Sequence, residues 1–305
     1  MKKRNNPLPL LNGVKPSYLV LPHEKQFYGL PLLHFLCIRF PFVGADNWRR
    51  RLNSGFVVGS DGAVLDEHSL FEPGKTMFYY RETSSEDEPR IPFEEKILHI
   101  DEHLIVVDKP HFLPVIPSGR FLRETLLTHL RLRPELQHLN VEDITPIHRL
   151  DKDTAGVMLL SLNPATRRDY QTMFQEKTVQ KTYEAVAPTR TDLDYPLDIS
   201  SRMERGEKFF LTRETEGEPN AHTTIELIEN RGAFSLYRLT PHTGKKHQLR
   251  VHMMSLNMPL MNDALYPTPL AAGDEDYDKP LKLLAKRIEF TDPISGQARI
   301  FESGF

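Results

Sequence analysis

Residues 146–161 constrain this chain more than any other stretch. His148-Arg149-Leu150-Asp151 packs three ionisable side chains into four positions. A turn containing Gly156 follows, and then the apolar strand of residues 157–160. Polar groups held at the mouth of a rigid strand are how a site is built on a scaffold. The competing reading is a charged surface loop that enters a core strand, and the rest of the chain has to decide between them.

With 305 residues the chain is long enough for two domains. Its 39% hydrophobic and 27% charged content fits packed globular structure rather than disorder. The single cysteine, Cys37, can form neither an internal disulfide nor a multi-thiolate zinc site. The basic start Met1-Lys2-Lys3-Arg4 is not followed by a long apolar region, so no signal peptide is expected. The most apolar run, residues 30–42, is broken by Pro31, His34, Arg39 and Pro41 and cannot span a bilayer. A cytoplasmic monomer is the default expectation. The net charge of −3 argues against a surface coated for polyanions but leaves room for a local basic cleft.

In chain order, residues 1–28 read as an irregular arm and 29–82 as a small unit of two helices and short strands. Trp48 beside Arg49-Arg50-Arg51 could grip a phosphate backbone or simply form a solvated helix face. Residues 83–92 read as a linker, and 93–305 as a larger domain. That domain opens with a hairpin over residues 97–109. A helix over residues 123–131 follows, and another begins with Asn163 as N-cap and Pro164 at the first turn. Further hairpins come next, with a helix from Lys245 and two closing strands. Hairpins dominate, so the expected class is α+β with a mostly antiparallel mixed sheet and flanking helices.

The helix expected from Lys245 breaks a rule. Lys245, Lys246 and His247 would sit at the positive end of its dipole, which costs a few tenths to about 1 kcal/mol per charge. A bound phosphate would reverse the sign of that argument. Arg250 shares a face with Lys246 and asks for a carboxylate.

His148-Arg149-Leu150-Asp151 with Thr154 and Gly156, then Lys181-Thr182-Tyr183-Glu184-Ala185-Val186, then Gly244-Lys245-Lys246-His247-Gln248-Leu249-Arg250-Val251-His252 closely resemble the RluA-type pseudouridine synthases. The resemblance covers about residues 97–301, including the weaker Asp108-Lys109-Pro110. Residues 29–82 resemble, more faintly, a degenerate S4-type RNA-binding module. The family likeness implies isomerisation of uridine to pseudouridine in structured ribosomal or transfer RNA, with no cofactor and no metal. It implies that Asp151 carries the chemistry, at C1′ or at the 2′ proton. Arg250 would pair with that carboxylate. Tyr183 would stack on the uracil and stand as candidate acceptor of the C5 proton. Arg149 would fill the gap left by the extruded base, and Leu249 would wall the pocket. His148 is expected to be structural, and Lys152 and Asp153 ordinary surface. Two departures stand out: His111-Phe112 where the family favours small residues, and Asn262 before Asp263 where glycine is usual.

Two alternatives come from other classes. Asp151-Lys152-Asp153-Thr154 matches the D-x-D-x-T nucleophile pattern of a Mg-dependent phosphohydrolase, with the acidic run 274–278 as ligands. The motif precedes its strand here rather than ending it, which counts against that reading. The other alternative is a non-catalytic RNA-binding protein on the same fold.

Overall fold

The computed structural model describes residues 6–81, 88–271 and 276–305. The basic start, residues 83–87 of the expected linker and the acidic pair Asp274-Glu275 lie outside the described residues. The chain forms two compact units, Met1–Pro89 with Pro117–Arg123, and Arg90–Ile116 with Glu124–Phe305.

In the first unit, β1 (Ser17–Val20), α1 (Leu32–Arg39), α2 (Ala45–Asn53), β2 (Val57–Gly59) and β3 (Thr76–Tyr79) form a three-stranded sheet with two helices. The strand order is β1-β3-β2. Three expectations change here. Residues 1–28 are not an irregular arm throughout: β1 pairs with β3 in the register Ser17↔Tyr79, and Leu21 and Phe27 are buried. Local periodicity carries no signal for a partner some sixty residues away. Trp48 is fully buried, and Arg51 lies over its ring at 4.9 Å, so the indole is core rather than a stacking surface. Consecutive helical residues point in different directions, so the three arginines cannot share one face. The expected linker also ends early. Ile91 is buried, and its N–H donates to the Glu124 carboxylate at 2.9 Å.

The second unit contains β4 (Lys96–Ile100), β5 (Leu104–Lys109), α3 (Leu126–Leu132), β6 (Thr145–Pro146), β7 (Ala155–Ser161), α4 (Arg167–Gln175), β8 (Gln180–Pro188), β9 (Leu197–Arg205), β10 (Thr212–Thr215), β11 (Ala221–Asn230), β12 (Phe234–Pro241), α5 (Gln248–Ser255), β13 (Leu283–Thr291) and β14 (Ala298–Glu302). One sheet runs in the order β10-β9-β11-β12-β8-β13-β7-β5-β4, with β14 beside β13 and β6 beside β7. Of the described pairings only β13 with β7 is parallel, so the expected α+β class with a mostly antiparallel sheet holds. Helix α4 buries Tyr170 and Met173 against Val157, Leu159 and Ile288. Helix α5 buries Leu249 and Met253 against Ala185, Ile225 and Leu239.

The parallel contact is short, pairing Leu284 with Ala155 and Ala285 with Gly156. Gly156 has φ +113°, and a Cβ there would lie 2.2 Å from the Ala285 carbonyl oxygen. The neighbouring main chain occupies the space a side chain would need, so only glycine fits.

Helix starts differ from expectation. Helix α4 begins at Arg167, because the Asn163 side chain accepts from the Ala165 N–H at 3.0 Å and holds a turn first. Helix α5 begins at Gln248, leaving Lys245, Lys246 and His247 in the preceding turn. No helix among the described residues is long and apolar enough to cross a membrane.

Candidate active site

Asp151 lies in the turn that leads into β7, and several contacts fix that turn. Lys109, at the end of β5 and fully buried, donates to the carbonyls of Pro110 (2.8 Å), Leu113 (3.0 Å) and Lys152 (3.0 Å). Burial lowers its pKa to about 7, while the charges of Asp153 and Asp151 act in the opposite direction. Three carbonyl acceptors match the three N–H groups of an ammonium, so the site is built for the charged form. The His111 ring nitrogen Nδ1 lies 2.7 Å from the Asp153 carbonyl. Phe112, at φ +65°, packs against Phe93 (6.0 Å) and Tyr277 (5.0 Å). Of the two bulky residues that depart from the family pattern, His111 therefore braces the Asp151 turn, while Phe112 packs into an aromatic cluster with Phe93 and Tyr277. His148 accepts from the Leu159 N–H at 3.0 Å and stacks on Phe174 at 4.6 Å. Burial holds its pKa down at about 4, consistent with a neutral, structural imidazole.

A cleft of about 740 Å³ opens in front of this turn, within the size range of small-ligand sites. Arg149, Asp151, Lys181, Tyr183, Lys245 and Leu249 line it. The Asp151 side chain is 18% exposed, with Arg149 Nη2 at 3.3 Å and His247 Nε2 at 3.9 Å. Arg149 is 55% exposed and stands at the rim. Asp151 is the one carboxylate among the lining residues.

Strand β8 supplies Lys181 and Tyr183 to one face, since alternate residues of a strand point the same way. Lys181 was not singled out from the sequence, although that two-residue spacing from Tyr183 marks it. Its amine donates to the Thr243 carbonyl at 3.4 Å, and burial lowers its pKa. Burial first, and the Asp151 charge second, push the Tyr183 phenol well above its usual range. With burial and the Asp151 carboxylate both favouring the protonated phenol, Tyr183 keeps its own proton at neutral pH.

Helix α5 supplies Leu249 and Arg250. The expected pairing of Arg250 with Asp151 is not what the structure shows. The Arg250 side chain, 1% exposed, binds Asp263 through Nε–H at 2.8 Å and Nη2–H at 2.5 Å. Its Nη1 lies 3.7 Å from Asp153, and its guanidinium sits over the Tyr266 ring at 5.4 Å. Burial opposes the charge, but Asp263, Asp153 and Asp151 together hold the pKa above its ordinary value. A buried guanidinium requires bidentate pairing, and Asp263 offers it because its own Oδ1 is fixed by the N–H groups of Leu265 and Tyr266. Arg250 thus influences Asp151 through its field and not through a hydrogen bond. Asp153 is correspondingly part of the buried charge cluster and not ordinary surface.

The turn before α5 also changes roles. Lys245 and Lys246 border a second hollow with Arg205 and Phe209. Burial and the charge of Arg149 lower the Lys246 pKa. His247, expected among the phosphate contacts, is instead buried at φ +55°, with Nδ1 2.8 Å from the Tyr266 hydroxyl. Burial holds its pKa near 4, so it meets Asp151 as a neutral ring. Since the helix starts after these residues, the unfavourable placement of charge on the helix dipole disappears. The metal-capable group among the described residues is Asp198, His222 and His242, and it includes neither Asp151 nor Asp153.

Comparison with known proteins agrees with this geometry. A family model described as RNA pseudouridylate synthase matches residues 103–255. An uncharacterised RNA pseudouridine synthase of Synechocystis sp. is 28% identical over 77% of this chain and 79% of its own. The ribosomal large subunit pseudouridine synthase D of Nitrosomonas europaea is 33% identical over 68% of this chain, which spans 61% of that relative. Among solved structures, human RNA pseudouridylate synthase domain containing 1 superposes with a TM-score of 0.56 at 22% identity, covering 72% of this chain and 86% of its own. Domain containing 4 gives 0.53 at 24%, covering 68% and 88%; both likenesses concern the fold.

Proposed function

The chain belongs to the RNA pseudouridylate synthase family, and from that premise we propose how its cleft converts a uridine in RNA to pseudouridine. Asp151 is the reacting group. It attacks C1′ or removes the 2′ proton, the N1–C1′ bond breaks, the uracil turns, and C5 joins C1′. The C5 proton then leaves while N1 regains one, so the change is an isomerisation with no redox step. The observation that carries this reading is the placement of Asp151 as the lone carboxylate lining the cleft, facing Tyr183 and Leu249.

Tyr183 and Leu249 hold the uracil, the tyrosine as a protonated stacking surface. The C5 proton passes to a base weaker than phenolate, and Asp151, once released from the sugar, can take it. Arg149 at the rim enters the gap left by the extruded base. Lys245 and Lys246 hold backbone phosphate. Arg250, locked to Asp263, is a fixed positive charge behind Asp151, and His247 orders the carboxylate from beneath. Ribosomal RNA is the substrate class we place first, on the names of relatives such as the Nitrosomonas enzyme.

The test is release of tritium from RNA labelled with 5-³H-uridine, without added metal or nucleotide. Release is expected from the unaltered chain and should vanish in Asp151→Ala with RNA binding retained. Undiminished release by that variant overturns the mechanism. Loss of RNA affinity in place of turnover favours a non-catalytic binding protein.

A further inference from the structure

Strands β9, β11 and β12 lie side by side and bring three ligating side chains to one spot outside the Asp151 turn. Asp198 is on β9 and His222 on β11, while His242 directly follows β12. One ligand atom from each lies within 4.8 Å of the other two. His222 Nε2 is 3.5 Å from Asp198 Oδ1. The two imidazoles stack at 4.4 Å with 28° between their planes. We propose that Asp198, His222 and His242 form a binding site for a zinc-class transition-metal dication.

The backbone makes this grouping a product of register. Thr224 pairs with Asp198 across the β11–β9 ladder, and His222 lies two residues from Thr224, on the same sheet face. The His242 N–H donates to the His222 carbonyl at 3.0 Å, so the two histidines oppose one another. The Thr224 hydroxyl links the ligands, lying 2.5 Å from Asp198 Oδ1 and 2.8 Å from His242 Nε2. An ion would take over that linking role with stronger bonds.

The donor set decides the class of ion. Two imidazoles with one carboxylate suit zinc and its neighbours, whereas magnesium and calcium favour all-oxygen shells. Tetrahedral zinc, with bonds of about 2.0–2.1 Å, sets its ligand atoms about 3.3 Å apart, so His222 and Asp198 are already close to that spacing and the widest pair closes by at most about 1.5 Å. The side chains can make that movement, because Asp198 is 67% and His222 42% exposed. At least one coordination position stays open to solvent. An ion here would also stiffen the turn into α5, since the Thr243 hydroxyl accepts from the His222 N–H and donates to Gln248. His242 also lines the edge of the Asp151 cleft, although no step of the proposed uridine chemistry runs through it.

Titration of the EDTA-treated chain with Co²⁺ reads geometry, and Zn²⁺ competition against a chromophoric chelator reads affinity. One Zn²⁺ per chain and a tetrahedral Co²⁺ spectrum are expected. His222→Ala and Asp198→Asn should each weaken Zn²⁺ at least tenfold, while Asp151→Ala leaves it unchanged. Should a variant fail to fold, Zn²⁺ should still protect His222 and His242 of the unaltered chain from diethyl pyrocarbonate. Zn²⁺ binding that survives His222→Ala with His242→Ala, or absence of both binding and protection in the unaltered chain, overturns the proposal.

Discussion

Arg250 is the side chain whose surroundings tolerate change least. Its charge is buried, and Asp263 supplies both of its close hydrogen bonds. Removing one partner of a buried ion pair leaves an uncompensated charge, which costs about 3–5 kcal/mol. Asp263→Ala should therefore lower stability by about that amount in urea unfolding. A loss below about 1 kcal/mol would mean that Arg250 had re-paired with Asp151 or Asp153. The sequence made Arg250 legible as a cation seeking a carboxylate, and it put Asp151 forward as the candidate reacting group. It did not reveal which carboxylate Arg250 would find, because Asp263 reaches it only through the tertiary path of the 257–266 loop. Lys109 was equally hidden, since nothing local distinguishes a lysine that donates to three carbonyls from one at the surface.

At the scale of elements, the turn before α5 concentrates cationic side chains without incurring a helix-dipole penalty. Lys245 lines both hollows and Lys246 the second, whereas His247 turns inward through its left-handed backbone. Replacing both lysines with alanine should weaken RNA binding and reduce the slope of log K against log[salt] by about 0.7–0.9 for each phosphate no longer neutralised. An unchanged slope, measured by filter binding across a salt series, rejects the phosphate role. Strands and hairpins were readable because period-two patterns and turn residues are local signals. Helix starts were less so: Asn163 and Lys245 looked like first-turn residues, yet side-chain turns and a positive φ delayed each helix by three or four residues.

Across the whole molecule, burial keeps His148, His247 and His252 neutral, each with a pKa near 4 against the ordinary 6.5. Between pH 6.5 and about 4 the unfolded chain binds more protons than the folded one, so stability falls as pH is lowered through that window. Above pH 6.5 these rings are neutral in both states and contribute nothing further. His129, whose pKa is raised despite burial by its pairing with Glu95, acts in the opposite sense but is outnumbered. Urea midpoints at about pH 7.5 and about pH 5 should show lower stability at the acidic value, and equal midpoints would refute the reading.

The close approach of Gly156 and Ala285 also has a consequence in time. A ribosome makes about 5–20 residues per second, so β13 emerges roughly ten seconds after the Asp151 turn. Until then β7 lacks its parallel neighbour and β8 lacks the strand that separates it from β7. Asp151 and Tyr183 cannot be brought to their final spacing during that interval. The cleft between them is therefore among the last parts of the second unit to be completed as the chain is made.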